Sequence, residues 1–213
     1  MINRQFDSLI FDMDGTLWDA VDSYAEVWNK TLRQCDIAST IDRATLLRYM
    51  GLTIETITDE ILPSLGSKFT EFMTVLEHNE REMMPVLGGK LYPGVMDNIP
   101  SLTQRYRLFM VSNCGARGLH NFLHYTGLTP WISDTLTNGE AGRPKAENIS
   151  LIIERNGLKS PLYIGDTDGD CSAAHAAGIP FMHVTYGFGH TDNADYSASS
   201  FSELARMLLN TFK

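Results

Sequence analysis

The chain has 213 residues, of which 43% are hydrophobic and 20% are charged, and its formal net charge at pH 7 is −9. These proportions are typical of a globular protein with a sizeable buried core. The negative charge argues against nucleic acid as a partner, because phosphate backbones are bound by clustered lysine and arginine side chains.

The same sequence gives expectations about the protein's surroundings. Its three cysteines lack CxxC spacing, which suits free thiols in a reducing compartment. No run approaches the ~20 apolar residues of a membrane span, and the first residues lack the apolar core of a signal peptide. We therefore expect a cytoplasmic protein with no membrane partner.

The first predicted element is a strand that ends at two carboxylates. SLIFDMD (residues 8–14) is a short apolar run of the kind that forms a buried strand. Asp12 and Asp14 lie on the same side of an extended backbone, where their charges repel each other. We expect a positive charge between them and a functional reason for the pair.

Residues 17–92 then show the pattern of consecutive helices, without a strong strand. Apolar residues recur near 3.6 spacing, Thr40 suits a helix cap before a segment closing on Gly51, and the last helix is expected to stop before Pro85. Such a segment is too long for a crossover connection and too apolar for a loop.

We interpret this segment as a helical cap subdomain inserted into a larger core domain. The core is then formed by residues 1–16 and 93–213, and the cap by residues 17–92. LWDA (17–20) and GGKLYPG (88–94) connect the two and are the expected hinges.

Strands and helices alternate over the rest of the chain. Apolar runs predict strands at LFMVSN (108–113), LYIGD (162–166) and FMHVTYG (181–187). Helices are predicted at about 95–104, 115–126, 146–156 and 169–177. This alternation predicts an α/β fold with a doubly wound parallel sheet covered by helices on both faces.

Polar residues follow the predicted strands at the points where the strands end. Doubly wound sheets bind ligands beyond the carboxyl ends of their strands, so we expect these residues to be neighbours in space. Several carboxylates in one crevice cannot all stay ionised unless a cation lies among them. Oxygen ligands without His or Cys favour a hard ion, with Mg²⁺ as the first choice. The residues are Asp12, Asp14, Gly15, Thr16, Ser112, Asn113, Asp166 and Asp170.

A site of this composition is suited to phosphoryl transfer. A metal and amide groups neutralise the non-bridging oxygens while a carboxylate attacks phosphorus. Asp12 is the candidate nucleophile, which would form an aspartyl-phosphate. Asp14 can protonate the leaving oxygen and then deprotonate the attacking water.

Four motifs resemble those of the haloacid dehalogenase-like (HAD) hydrolase superfamily. DMDGTL, VSN, a lysine in GRPKAENI, and GDTDGD are similar to them in order and spacing. The resemblance covers nearly the whole chain, and the helical insertion is placed as in the phosphoglycolate phosphatase-like branch. It implies a Rossmann-like core and a Mg²⁺-dependent phosphatase that acts on a small phosphorylated metabolite.

The resemblance also implies roles for the four aspartates. Asp12 is the nucleophile and a metal ligand, and Asp14 is the acid/base residue that lends its backbone carbonyl to Mg²⁺. Asp166 ligates the metal directly, whereas Asp170 supports it through the metal's water shell.

The remaining matched residues are expected to bind the phosphate. Ser112 and Asn113 hold it, together with a cation from the third motif. That motif departs from the usual GKPxPD, so either Arg143 or Lys145 can be the cation. We favour Lys145, because a compact ammonium fits between Asp12 and a phosphate oxygen, whereas arginine prefers a planar, bidentate partner.

Three other functions compete with the phosphatase. A phosphomutase of the β-phosphoglucomutase type shares both aspartates and the cap class. A metal-independent 2-haloacid dehalogenase is disfavoured by Asp14 and Asp166, and a regulatory protein without activity is disfavoured by the intact motifs. We expect the protein to be a monomer or a weak homodimer.

Overall fold

The computed structural model describes residues 6–210, and in that range eight β-strands are present. They are β1 (Ser8–Phe11), β2 (Trp18–Asp19), β3 (Lys90–Leu91), β4 (Arg107–Ser112), β5 (Ile132–Thr137), β6 (Pro161–Gly165), β7 (Phe181–Val184) and β8 (Tyr196–Ala198). Six of them form one sheet in the order β5-β4-β1-β6-β7-β8, with every neighbouring pair parallel.

Ten α-helices occur over the same residues. They are α1 (Val21–Gln34), α2 (Arg43–Leu47), α3 (Ile54–Ile61), α4 (Phe69–Leu87), α5 (Val95–Leu102), α6 (Gly118–Thr126), α7 (Asn138–Ala141), α8 (Lys145–Asn156), α9 (Asp168–Ala176) and α10 (Phe201–Asn210). None of the helices in this part of the chain has the length and apolar character of a membrane span.

The central strand β1 shows why the sheet is covered on both faces. Leu9, Ile10 and Phe11 are fully buried. Leu9 and Phe11 belong to one hydrophobic cluster and Ile10 to another, because successive side chains of a strand point to opposite faces. The predicted α/β fold with a doubly wound parallel sheet is confirmed.

The order of the strands reverses direction at β1, which makes it the topological switch point of the sheet. The chain passes from β1 to β4 on one side and later reaches β6 on the other, so loops leaving these strands diverge around a crevice. Asp12 is the first residue after β1, and its backbone N–H donates to the Ile164 carbonyl of β6 at 2.9 Å. The end of β1 is thereby fixed at the centre of the sheet edge.

Helices α1 to α4 lie between two short strands that pair with each other. β2 and β3 are antiparallel, with Trp18 opposite Leu91 and Asp19 opposite Lys90. Within the helical segment α1 packs against α4, and the ring centroids of Trp28 and Phe72 lie 5.6 Å apart. The chain therefore leaves and re-enters the sheet region through two adjacent, hydrogen-bonded segments.

Two predicted helix boundaries were wrong. The helix near residues 40–51 is limited to α2, because Asp42 rather than Thr40 caps it and accepts a hydrogen bond from the Thr45 N–H at 2.8 Å. Helix α4 continues through Pro85 to Leu87. A proline in the final turn removes only one intrahelical donor, so the helix can end two residues later.

Candidate active site

Three aspartates meet beyond the carboxyl ends of β1 and β6. Asp12, Asp166 and Asp170 each place a carboxylate oxygen within 4.8 Å of the others, and all three are buried. Asp12 directly follows β1, Asp166 directly follows β6, and Asp170 lies in the first turn of α9. The topology thus brings together residues that are more than 150 positions apart.

Lys145 joins this cluster from the first position of α8. Its Nζ lies 3.0 Å from Oδ1 of Asp12 and 2.6 Å from Oδ1 of Asp170, and its side chain is only 6% exposed. Burial alone would lower the pKa of Lys145, but the charges of Asp12 and Asp170 outweigh it and raise that pKa well above its usual value. Lys145 is therefore a permanent cation between two carboxylates.

One lysine does not neutralise the whole cluster. Burial raises the pKa of Asp12 to about 6, against the opposing charge of Lys145 and with a further contribution from Asp170. Burial and the charges of Asp170 and Asp12 raise the pKa of Asp166 to about 7. Both shifts arise first from burial, and the neighbouring carboxylates add to them.

The cluster fits a hard cation. Its donors are buried carboxylate oxygens, which are the ligands that Mg²⁺ prefers. Both oxygens of Asp170 already accept hydrogen bonds, from Lys145 and from the N–H and hydroxyl of Thr167. Asp166 likewise accepts at both oxygens, from the Thr16 hydroxyl and from the N–H groups of Phe188 and Gly189. Asp12, Asp166 and Asp170 together are therefore the residues that could hold such an ion.

Asp14 is outside the three-aspartate cluster but lines the same pocket as Asp12. Its Oδ1 accepts a hydrogen bond from Nε1 of Trp18 at 2.9 Å, and its Oδ2 accepts one from the Tyr24 hydroxyl at 3.4 Å. Burial and the neighbouring charge of Asp12 raise the pKa of Asp14 well above its usual value. A carboxyl group whose pKa is raised and whose orientation is fixed by two donors is suited to act as a general acid.

Gly15 allows Asp166 to approach the turn after β1. Its φ is +80°, and a Cβ atom there would lie 2.6 Å from Cγ of Asp166. Asp166 is also fixed by the backbone N–H of Phe188, which donates to its Oδ2 at 2.7 Å. Sequence reasoning did not find this contact, because it joins a loop after β7 to the motif after β6.

Ser112 and Asn113 lie at the end of β4 and line the same pocket as Asp12 and Lys145. Ser112 is buried, and its Oγ accepts from the N–H of Cys114 at 3.3 Å. Asn113 donates through Nδ2 to the backbone carbonyl of Gly51 at 2.8 Å. Asn113 thereby connects the sheet edge to the segment between α2 and α3.

Arg143 is the predicted site residue that the structure leaves on the surface. Its side chain is exposed, and its backbone carbonyl accepts from Nδ2 of Asn138 and of Asn148. Arg143 is outside the residues that line the pocket, whereas Lys145, two positions later, is among them. The expectation that Arg143 contacts a ligand here has no support in the geometry, because the turn before α8 directs only Lys145 inward.

The comparison with known families shows which family the chain belongs to. Residues 9–184 match the model of the family described as "Haloacid dehalogenase-like hydrolase". The chain belongs to this family. The match spans every motif that carries the site, so the predicted family and hydrolase class are confirmed.

Individual relatives of this HAD-family hydrolase are distant but cover most of the chain. A phosphoglycolate phosphatase of Vibrio parahaemolyticus is 24% identical over 98% of each chain. One of Rhodospirillum rubrum is 25% identical over 90% of this chain and 84% of its own. The crystal structure of a predicted phosphatase from Clostridium acetobutylicum superposes with a TM-score of 0.83, covering 96% of this chain and 99% of its own at 22% identity. That superposition shows a shared fold.

Proposed function

We propose that this HAD-family hydrolase is a Mg²⁺-dependent phosphatase of a small phosphorylated metabolite that acts through an aspartyl-phosphate on Asp12. The observation that carries the proposal is the position of Asp12. It is buried between Lys145 and the other aspartates, and it lines a pocket together with Asp14. The names of the relatives are consistent with this chemistry.

Asp12 and Lys145 act together on the phosphate. One carboxylate oxygen of Asp12 accepts a hydrogen bond from Nζ of Lys145, which restricts the rotation of the carboxylate. The other oxygen is then left for attack on phosphorus. The Lys145 ammonium also offsets the charge of a phosphate oxygen that enters the site. Ser112 and Asn113 lie at the end of β4, where their side chains can donate to the other oxygens.

Asp14 moves the protons. It gives its proton to the leaving oxygen while Asp12 attacks, and it then takes one from the water that hydrolyses the aspartyl-phosphate. Trp18 and Tyr24 hold its two oxygens and so orient it for both steps. Asp12 and Asp166, with the support of Asp170 and the backbone carbonyl of Asp14, would hold Mg²⁺, which would supply positive charge to offset that of the phosphate.

We further propose that residues 17–92 form a cap over a core of residues 1–16 and 93–213. Helices α1, α3 and α4 contribute Trp28, Ile57 and Glu80 to the pocket that Asp12 lines. The paired strands β2 and β3 lie at the two ends of the cap, next to the points where the chain joins the core, and are suited to a hinge. Closing this cap would exclude water while the ester is cleaved.

The test is phosphate release from p-nitrophenyl phosphate with Mg²⁺ and with EDTA. We expect turnover with Mg²⁺, its loss in EDTA, and no turnover by Asp12→Asn. Asp97→Asn makes the same chemical change at an exposed position of α5 and serves as the matched control. Equal rates with Mg²⁺ and EDTA would contradict the metal dependence, and an active Asp12→Asn variant would contradict the nucleophile.

A further inference from the structure

A carboxyl group from the proposed cap lines the pocket without a partner. Glu80 of α4 is partly buried and lies along the same pocket as Asp12 and Asp14. Within residues 6–210 its carboxylate forms neither a hydrogen bond nor an ion pair. Burial and the nearby charge of Glu77 raise the pKa of Glu80 to about 7. This group is not used by the phosphoryl-transfer chemistry described above.

A second acceptor without a partner lies beside Glu80. Asn121 of α6 is 3% exposed and lines the same pocket. Its Nδ2 donates to the backbone carbonyl of Glu80 at 3.4 Å, which places the two residues side by side. Its Oδ1 is buried and has no hydrogen-bond partner. Oδ1 of Asn79 and Oδ1 of Asn148 are also unpaired. Asn121 differs from both because it lines the pocket, where a donor on the ligand could pair with it.

The rest of the pocket limits what the ligand can be. Its walls are largely apolar, with Trp28, Leu46, Ile57 and Met84 among the lining side chains. The only cationic side chain among the lining residues is Lys145, whose ammonium is held by Asp12 and Asp170. Arg117 lines an adjoining cavity that Glu80 also lines, but it is outside this pocket. A second anionic group held within this pocket would therefore meet unpaired acceptors and an apolar wall.

On the basis of the proposed phosphatase activity, we propose that the substrate is a phosphomonoester with an apolar organic part that carries an ammonium group, bound by the Glu80 carboxylate and by Oδ1 of Asn121. An ammonium supplies hydrogen-bond donors to both acceptors, and its positive charge pairs with the negative charge of the Glu80 carboxylate. A carboxylate at that position, as in phosphoglycolate, is rejected by the same two residues.

The experiment compares two aromatic esters that differ in charge. The probes are 4-(aminomethyl)phenyl phosphate and 4-carboxyphenyl phosphate, with kcat/KM measured at about pH 8, where Glu80 is ionised. We expect the wild-type protein to prefer the amino ester, and Glu80→Gln to reduce the preference by about tenfold or more, since it removes a charge-assisted hydrogen bond. Intrinsic differences between the esters cancel when this ratio is compared between variants.

Two further variants make the result specific. Glu82→Gln removes the same charge from an exposed position of the same helix and should leave the preference unchanged. Asn121→Leu removes the second acceptor and should reduce the preference in the same direction as Glu80→Gln.

The possible outcomes separate this inference from the phosphatase proposal. If p-nitrophenyl phosphate is hydrolysed, two results overturn the substrate assignment alone. One is an ester preference that is the same in wild type and Glu80→Gln, and the other is a wild-type preference for the carboxy ester. Failure to hydrolyse p-nitrophenyl phosphate with Mg²⁺ overturns the phosphatase proposal and the substrate assignment with it.

Discussion

Replacing Lys145 by methionine removes the only cation in contact with the aspartate cluster within the described residues. The substitution leaves an unbranched side chain one atom shorter and deletes contacts of 3.0 Å to Asp12 and 2.6 Å to Asp170. Both carboxylates are then left buried without a counterion. Arg143→Met makes the same kind of change two residues away at an exposed side chain and is the matched control.

The loss of stability follows from burial. Removing one partner of a buried ion pair costs about 3–5 kcal/mol, because the other charge stays buried without compensation. The pKa of Asp12 is already raised to about 6 with Lys145 present, and it rises further without the lysine. A carboxyl whose pKa is raised by folding stabilises the fold when protonated, and this contribution is lost as the pH rises through that pKa. The penalty in Lys145→Met should therefore be largest near pH 8 and smaller near pH 5.

Two assays check this prediction. Urea unfolding in EDTA should show the pH-dependent penalty in Lys145→Met, whereas Arg143→Met should differ from wild type by less than about 0.5 kcal/mol. Turnover of p-nitrophenyl phosphate should fall by roughly 10²–10³-fold in Lys145→Met, the range seen when one electrostatic contact to the transition state is removed. The reasoning is refuted if Arg143→Met is the inactive variant while Lys145→Met is stable and active.

Three further predictions concern the aspartates. Gly15→Ala should lose most activity and some stability, because its φ of +80° is unfavourable for alanine and the new methyl would collide with Asp166; thermal melting and turnover measure this, and an unaffected variant would show that the loop relaxes freely. Mg²⁺ should raise the melting temperature more at about pH 8 than at about pH 5.5, since the metal competes with protons for Asp12 and Asp166, whose pKa values are about 6 and 7; a shift that is independent of pH would argue against binding at these carboxylates. Asp14→Asn should slow turnover by roughly 10²–10⁴-fold, because it loses proton transfer; a rate equal to wild type would exclude Asp14 as the acid/base residue.

The strands that carry the site were predictable because they are central in the sheet. β1, β4, β6 and β7 are nearly continuous apolar runs, as expected of strands buried on both faces. β5 and β8 were not predicted. They form the two edges of the sheet, are only partly buried and contain polar residues, so they lack a clear apolar pattern.

The site was predictable to the extent that its residues lie in short motifs. Asp12, Asp14 and Lys145 occupy motif positions, and the sheet topology brings them together. The donors to Asp14 from Trp18 and Tyr24 were not predicted, because a hydrogen bond depends on the path of the chain after β1. Glu80 was missed for a related reason, since only the packing of α4 places it in the pocket.

The covalent intermediate on Asp12 is the central claim, and it can be detected directly. Asp14→Asn should still react with p-nitrophenyl phosphate, whose leaving group needs no proton, but it lacks the base for water attack. The aspartyl-phosphate should therefore accumulate, and mass spectrometry after an acid quench should find one phosphate on Asp12. Phosphate on any other residue, or full turnover by Asp12→Asn, would contradict this account.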